Sequence, residues 1–313
     1  MHLLVLGGTN YIGRNLVEHA LAEGHRVTLF NRGRNTAVFP DVPRLIGERT
    51  PDGAPEGLAS LATGSWDAAF DFSGFLPRQV EATARLLANR VGHYTFMSSI
   101  AVYPRTSQAG VTEEAETRRL DLPPGSPEPE GFTADTYGPL KAACEQALEQ
   151  TLPGRATAIR SGLVIGPGDP FGAFPSWAIA MAGDRAVPCG ARPDQPLQTT
   201  DVRDLASFML RTATVPLPGA FNVMAPPMSF AEMLETCRAA GNGSATVRWT
   251  ADENVDEFGA GIVQPHDGSD DGVFRLSCER ALAAGFRPRP FEQTARDTID
   301  WVRRADPTFT APH

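Results

Sequence analysis

The sequence predicts an α/β fold in which a doubly wound parallel sheet is joined to a smaller, mixed C-terminal unit. Segments with the patterns of strands and helices alternate over roughly the first half of the chain, which is typical of such sheets. The first apolar run ends in two glycines, as a strand covered on both faces does. The length of 313 residues allows about two domains of roughly 150 residues. We therefore expect a first unit over residues 1–168, with 198–225 returning to it, and a second unit mainly over 169–313.

Residues 1–31 predict a βαβ unit. An apolar strand over 3–6 is followed by apolar positions at helical spacing over 12–22, and Gly24 then supplies a helix stop. Residues 26–31 have the composition of a second strand. Because a helical crossover joins the two strands, we expect them to be parallel.

The same alternation extends the sheet. The further predicted elements are helices over 79–89 and 138–150 and strands over 68–72, 94–98 and 156–160. Beyond Gly166 the pattern changes to connections rich in Pro and Gly, with helical spacing again near 231–240 and 291–304. This change predicts the smaller mixed unit.

Composition and charge argue against several classes of protein. The net charge of -9 has the wrong sign for general attraction to nucleic acid or to an anionic membrane. The sequence contains no apolar run long enough for a signal peptide or a membrane span, so we expect a cytoplasmic protein without membrane association. The four cysteines lie far apart and form no zinc-binding pattern, which predicts reduced thiols and no metal site.

The negative charge is concentrated in two segments. Residues 113–135 and 252–271 carry net charges of -5 and -7, so the rest of the chain carries +3. Both segments have the composition of solvated surface loops. The mildly positive remainder suits a ligand that bears phosphate.

A glycine-rich loop lies between the first strand and the first helix, with the sequence Gly-Gly-Thr-Asn-Tyr-Ile-Gly over residues 7–13. Its first glycine permits a tight turn in which the backbone can approach a pyrophosphate, and the helix N-terminus directs free N–H groups at it. The last glycine allows the helix to pack closely on the strand. The loop predicts a dinucleotide site with these cofactor-binding residues: Gly7, Thr9, Asn10, Tyr11, Ile12 and Gly13.

The end of the second strand bears on the choice between NAD and NADP. A carboxylate there bonds the ribose 2'-hydroxyl and repels a 2'-phosphate, but residues 31–34 read Asn-Arg-Gly-Arg. Two guanidinium groups can pair with a phosphate, although two solvated loop arginines are the simpler alternative. We expect NADP to be favoured over NAD, with Asn31, Arg32 and Arg34 in the cofactor site.

Hydroxyl and amine groups further along have the spacing of a proton-transfer site. Tyr137 and Lys141 lie one helical turn apart on one face, with Pro139 tolerated if the helix begins there. An ammonium near a phenol favours phenolate and lowers the pKa of the phenol. Ser98 and Ser99 end a predicted strand, at the carboxyl edge where open α/β sheets bind ligands.

Together these motifs resemble the extended short-chain dehydrogenases/reductases of the NAD-dependent epimerase/dehydratase family, which have a Rossmann-type sheet. The resemblance covers most of the chain and runs through residues 7–13, 98–103, 137–141, 160–168 and 200–206.

The resemblance implies that Ser99, Tyr137 and Lys141 are the catalytic residues. Tyr137 would be the acid/base, Lys141 would lower its pKa and hold the nicotinamide ribose, and Ser99 would orient the reacting oxygen. Ser98, Tyr137 and Lys141 would also border the cofactor. The sequence departs from the sugar 4,6-dehydratases, which have an Asp-Glu pair where residues 100–101 are Ile-Ala, and this argues against dehydratase chemistry.

The expected function is hydride transfer between NAD(P) and a secondary alcohol or ketone of a small molecule, which the second unit binds. Substrate choice is expected in residues 169–192 and 252–272. Arg185 and Arg192 are candidate contacts for a substrate phosphate, with solvated arginines as the simpler alternative.

Three alternatives stay open. The first is an NAD-dependent sugar or nucleotide-sugar epimerase. The second is a non-catalytic RNA-binding Rossmann protein, because the Leu-Gly-Gly-Thr and Phe-Asn-Arg-Gly segments are similar to a branch that includes chloroplast stem-loop RNA-binding proteins. The third is a cofactor-bound regulatory module. The intact Ser99, Tyr137 and Lys141 favour the enzyme, so nucleic acid is not the expected partner, and a homodimer is left open.

Overall fold

The structure is a computed structural model that describes residues 1–49, 57–121, 129–250 and 267–305. The strands are β1 (His2–Leu6), β2 (Arg26–Asn31), β3 (Arg44–Ile46), β4 (Trp66–Asp71), β5 (Val91–Met97), β6 (Ala156–Arg160), β7 (Leu163–Ile165), β8 (Ala186–Cys189), β9 (Pro196–Leu197), β10 (Thr199–Asp201), β11 (Gly219–Asn222), β12 (Met228–Ser229) and β13 (Thr246–Trp249). The α-helices are α1 (Tyr11–Ala22), α2 (Pro77–Leu87), α3 (Ala134–Thr151), α4 (Ala173–Met181), α5 (Val202–Thr214), α6 (Phe230–Ala240), α7 (Glu279–Ala283) and α8 (Phe291–Ala305).

A parallel sheet forms the centre of the molecule. Among the described residues it has seven strands in the order β11-β6-β5-β4-β1-β2-β3. In the central strand β1, Leu3 and Val5 share a core with residues of α1 and α5, whereas Leu4 and Leu6 share a core with residues of α2 and α3. The continuous apolar pattern of β1 therefore arises because both faces of the strand are covered. The predicted doubly wound α/β sheet is confirmed.

A smaller set of elements packs beside the sheet. Helices α4, α6 and α8 contribute to one core, in which the rings of Trp177 and Phe230 meet edge to face with centroids 5.4 Å apart. Three two-stranded pairings, β7 with β10, β8 with β13 and β9 with β12, complete this region among the described residues. Helix α5 and strand β11, which lie within residues 198–225, pack instead on α1 and β6.

The order of the chain brings several loops to one edge of the sheet. The parallel strands β1, β2, β4, β5 and β6 all end at this carboxyl edge. In the described ranges, no helix is long and apolar enough to cross a membrane. All four cysteines lie in the described ranges, where each is a buried thiol outside any disulfide.

Candidate active site

The glycine loop between β1 and α1 has the backbone geometry that a pyrophosphate site needs. Gly7 and Gly8 have φ angles of +101° and +80°, which side-chain-bearing residues rarely adopt. A Cβ on Gly13 would lie 2.9 Å from the Cα of Gly8, so the glycine lets the start of α1 approach the loop closely. Gly7 and Thr9 are partly exposed and Asn10 is exposed beside the N-terminus of α1, and these features fit the diphosphate of a dinucleotide.

The other predicted residues of this loop have different surroundings. Thr9 is half-buried and Asn10 is exposed, so both are accessible to a ligand at the start of α1. Tyr11 is buried, and its hydroxyl donates to the carbonyl oxygen of Gly166 at 3.4 Å. Ile12 packs against the core beneath α1. The side chains of Tyr11 and Ile12 thus hold the loop in place, and the first of them ties it to the segment that follows β7.

At the end of β2, one side chain shapes the loop and two are open to solvent. Asn31 donates from Nδ2 to the carbonyl oxygen of Gly7 at 3.2 Å and accepts from the backbone N–H of Gly33 at 2.9 Å. Arg32 and Arg34 are exposed and make no ion pair with any residue that the structure describes. The two guanidinium groups therefore remain available to a phosphate.

An apolar surface lies next to these arginines. Ile46, the last residue of β3, is 56% exposed although it is a large apolar side chain. Its Cδ1 lies 2.8 Å from where a Cβ on Gly33 would be, so it adjoins the loop that carries both arginines. A planar base could cover this surface while its attached phosphate meets a guanidinium, which fits the adenosine end of the cofactor.

The serine after β5 contacts the tyrosine of α3. The hydroxyl of Ser99 accepts from the backbone N–H of Ala101 at 3.1 Å, and its interaction with the Tyr137 hydroxyl lowers the pKa of that phenol against the effect of burial. The close approach depends on Gly138, because a Cβ at this position would overlap the carbonyl oxygen of Ala101. Glycine next to Tyr137 thus allows α3 to touch the turn that holds Ser99.

Ser98 directly follows β5, and its side chain is directed at α3. It is buried, and its hydroxyl donates to the carboxylate of Glu145 on α3. Glu145 is also paired with Arg160 of β6 at 2.7 Å. The Ser98 side chain is thus engaged with α3, and its place beside the cofactor stays a prediction.

Lys141 lies one turn after Tyr137 and is almost fully enclosed. Its side chain is 3% exposed, and Nζ donates to the carbonyl oxygens of Gly74 and Met97, each at 2.8 Å. Nζ also lies 4.7 Å from the ring centroid of Phe75 and 5.9 Å from that of Tyr137. An ammonium has three protons, so one remains for a ligand such as a ribose hydroxyl.

Burial controls the protonation of both residues. It lowers the pKa of Lys141 to about 8, with the nearby Arg49 acting in the same direction against Cys144 and Asp71. Burial also raises the pKa of Tyr137 above its ordinary value, and the hydrogen bond with Ser99 opposes this rise. The expected lowering of the tyrosine pKa by Lys141 is not what the structure shows, because Nζ points at two carbonyls.

A buried ionic network supports the turn that holds Lys141, and the sequence did not predict it. Arg49 donates from Nη1 to Oδ1 of Asp71 at 2.6 Å, and the hydroxyl of Tyr94 donates to Oδ2 at 2.7 Å. Burial by itself raises the pKa of Asp71, but Arg49, Tyr94 and the Ser73 backbone together hold it below its ordinary value. Asp71 thereby fixes the turn whose Gly74 carbonyl accepts from Lys141.

Helix α3 begins earlier than predicted. It starts at Ala134, so Pro139 lies inside the helix and not in its first turn. Proline has no N–H to donate to the carbonyl oxygen four residues before it, which is that of Asp135. Arg118 donates to this oxygen from Nη2 at 2.9 Å. A side chain thus replaces the missing backbone donor and allows the helix to extend past the proline.

The two arginines considered as contacts for a substrate phosphate, Arg185 and Arg192, have different surroundings. Arg192 pairs with Asp271 at 2.6 Å, so it belongs to a salt bridge and is not a solvated side chain. Arg185 is exposed just before β8. Residues 252–266 of the second expected substrate segment, 252–272, lie outside the described residues.

One family model and three known proteins match most of this chain. The model described as "NAD dependent epimerase/dehydratase family" matches residues 3–223. The chain is 27% identical over 312 residues to the epimerase family protein SDR39U1 of Bos taurus, covering 92% of this chain and 95% of that protein. The human SDR39U1 structure with NADPH has a TM-score of 0.66 at 20% identity, covering 96% of this chain and 99% of that one. A putative epimerase from Burkholderia cenocepacia J2315 has a TM-score of 0.75 at 17% identity, with coverage of 97% and 98%.

A further match is partial. The chain is 30% identical over 117 residues to the chloroplast stem-loop binding protein of 41 kDa b from Arabidopsis thaliana. This region covers 32% of this chain and 30% of that protein, so the chain spans less than a third of this relative's length.

Proposed function

Because the chain belongs to the NAD-dependent epimerase/dehydratase family, we propose that it is an NAD(P)-dependent oxidoreductase acting on a secondary alcohol or ketone of a small molecule. The contact between Ser99 and Tyr137, with Lys141 one turn further along α3, carries this proposal. All three side chains lie at the carboxyl edge of the sheet, beside the loop that fits a dinucleotide.

In the mechanism, each of the three residues has a separate task. When bound, the cofactor supplies or accepts the hydride. In the reducing direction, Tyr137 donates its hydroxyl proton to the oxygen of the carbonyl being reduced, and solvent then returns a proton to the phenolate. Ser99 donates to the same oxygen and orients it. Lys141 would hold the cofactor ribose with its remaining N–H, because its other two protons are bonded to Gly74 and Met97.

We assign the preferred cofactor as NADP(H). Arg32 and Arg34 are exposed at the end of β2, and residues 31–34 include no carboxylate that would repel a 2'-phosphate. The SDR39U1 structure with NADPH belongs to a protein of the same fold and supports this choice.

The proposal is tested with the Tyr137→Phe variant. The purified protein should bind NADPH and consume it with a ketone, whereas Tyr137→Phe should bind NADPH equally well and lose at least about 100-fold in kcat, since a positioned acid contributes about that much. Stopped-flow absorbance at 340 nm measures the rate, and fluorescence titration measures binding. A variant with kcat within threefold of the wild type would refute the role of Tyr137.

Redox epimerisation of a sugar is a second candidate, favoured by the epimerases among the proteins of similar fold. Oxidation and re-reduction of one substrate leave the cofactor unchanged overall. An epimerase would therefore convert its substrate with no net change in NADPH, whereas the reductase consumes one NADPH for each product formed.

RNA binding is a third candidate and is supported by the partial match to the stem-loop binding protein. Binding to RNA through phosphates should weaken steeply as salt is added. A gel-shift titration with a stem-loop RNA at 50 mM salt tests it, and the absence of any complex at this low salt would dismiss the candidate.

A further inference from the structure

Two phenylalanine rings form a surface beside the proposed acid/base, and we name Phe75 and Phe132 the aromatic shelf. Their rings are stacked with centroids 5.0 Å apart and planes 20° apart. The ring of Phe132 also meets that of Tyr137 at a centroid distance of 5.4 Å. Phe75 follows β4, whereas Phe132 comes directly before the N-cap of α3, so two loops at the carboxyl edge build the shelf together.

The outer ring of the shelf is open. Phe132 is 51% exposed, although its position is fixed by contact with both Phe75 and Tyr137. A single exposed apolar residue is ordinary on a protein surface. Here the exposed ring is held in a stack next to the hydroxyl that would transfer the proton, so a bound planar ring would extend the stack.

The described contacts of the Tyr137 ring are with the ring of Phe132 and with Lys141, whose ammonium is already bonded to two backbone carbonyls. The residues after Ser99 are apolar, and Ile100 belongs to a buried cluster. A sugar with many hydroxyls would find few hydrogen-bonding side chains next to this tyrosine.

Three arginines of the described chain are paired with carboxylates. Arg160 is bonded to Glu145, Arg192 to Asp271, and Arg105 to Asp270. The carboxylate offsets the charge of each guanidinium, so a diphosphate would gain less from these arginines than from unpaired ones. An uncharged substrate does not depend on such a partner.

On the basis of the proposed function, we propose that the substrate is an uncharged ketone or alcohol that carries a planar aromatic ring, and that the ring stacks on Phe132. Because the rings of Phe132 and Tyr137 are adjacent, the substrate ring lies within a few bonds of the reacting carbon. Phe132 is then a residue that determines specificity.

The experiment compares two ketones that differ only in the ring. These are 4-phenylbutan-2-one and 4-cyclohexylbutan-2-one, with UDP-glucose as a charged sugar nucleotide. The wild type should show a kcat/KM about five- to tenfold higher for the phenyl ketone, since aromatic stacking adds about this factor beyond burial of the same area. In Phe132→Ala the ratio of the two kcat/KM values should fall to about one. The control Leu21→Ala removes another large exposed side chain, at the end of α1 and 39% exposed, and should keep the wild-type ratio.

The ratio within one enzyme is independent of any loss of folded protein or of cofactor affinity. Calorimetric titration of each ketone into the NADP⁺ complex gives a second measurement. The proposal would be overturned by equal kcat/KM values for the two ketones, or by a ratio of these values that is unchanged in Phe132→Ala. A larger kcat/KM for UDP-glucose, or no binding of the phenyl ketone, would also overturn it. The proposed function fails separately, by lack of NADPH binding or by full activity of Tyr137→Phe.

Discussion

Lys141 carries a charge in a place where water does not reach it, and this makes its protonation sensitive to pH. Its pKa is about 8 in the folded protein against 10.5 for an ordinary lysine. Between these two values the unfolded chain binds more protons than the folded chain, so the folded state gains stability as the pH rises from 8 to 10.5.

Lys141→Met removes the titrating amine. The difference in the free energy of unfolding between the wild type and this variant therefore isolates the contribution of Lys141 at each pH. The stability of the wild type relative to Lys141→Met should increase by roughly 2–3 kcal/mol between pH 8 and 10.5. Urea unfolding at pH 7.5, 9 and 10.5 measures the difference. A difference that stays constant over this range would contradict the lowered pKa.

Arg32 and Arg34 should distinguish the two cofactors. Replacing both by Ala should weaken NADPH binding by about ten- to hundredfold, because charge-assisted hydrogen bonds to a phosphate are worth about 1.5–3 kcal/mol. NADH binding should change by less than about threefold. Arg26→Ala is the matched control, since this exposed arginine lies at the other end of β2. Fluorescence titration measures the binding of both cofactors to the wild type and to both variants, and equal losses for the two cofactors would exclude the proposed role.

Residues with local spacing were predictable from the sequence, whereas residues that meet across elements were not. Tyr137 and Lys141 are one helical turn apart, so their shared face follows from sequence alone. Arg49, Asp71 and Tyr94 come from three different segments, and no short motif links them. Asp71, which ends β4 after three apolar residues, was the one available signal.

At the scale of elements, helix α3 depends on a residue outside it. Arg118 supplies the donor that Pro139 lacks, and it lies in the acidic segment 113–135, whose composition indicates a solvated loop. The prediction of a later helix start followed from the usual cost of proline in a helix interior, and Arg118 lowers that cost.

Arg118→Ala should therefore loosen the first turn of α3, which carries Tyr137. We expect a loss of about 1 kcal/mol in the free energy of unfolding and a decrease of several-fold in kcat. Arg119→Ala is the matched control, because the neighbouring side chain is 85% exposed and pairs with Glu116 on the surface. Urea unfolding and steady-state rates check both variants, and equal effects of the two substitutions would contradict the role of Arg118.

Helices α4 and α5 were not predicted from the sequence, and the reason differs between them. Helix α4 is buried on most of its surface, so its apolar residues show no helical period. Helix α5 has such a period, and Asp201 caps its N-terminus through the backbone N–H of Arg203 at 2.9 Å. The cap and the period together were sufficient to predict α5, whereas α4 required knowledge of its neighbours.

At the scale of the whole molecule, residues 267–275 hold separate parts of the chain together. Asp271 pairs with Arg192, and the backbone N–H of Gly272 donates to the carbonyl oxygen of Thr106 at 2.8 Å. Asp270 pairs with Arg105 in the same way. The prediction of a solvated acidic loop is thus wrong for Asp270 and Asp271, whose charges are neutralised by arginines distant in sequence.

Asp271→Asn should weaken this connection. The pair with Arg192 is mostly shielded from solvent, so we expect a loss of about 1 kcal/mol in the free energy of unfolding. Asp267→Asn is the control, because Asp267 is exposed in the same segment. Thermal and urea unfolding at 0.05 and 0.5 M salt measure both, and an unchanged Asp271→Asn variant would show that the pair does not contribute.

The cation of Lys141 is held by two carbonyl dipoles and by aromatic rings, with no carboxylate among its described hydrogen-bond partners. Dissolved ions screen charges in water but hardly reach an enclosed one, whereas Arg32 and Arg34 stand in solvent. One bound dinucleotide would therefore meet two kinds of positive charge. Ionic strength would loosen its phosphate end while leaving the reacting end in place, so salt would change how tightly the cofactor is held more than how fast it reacts.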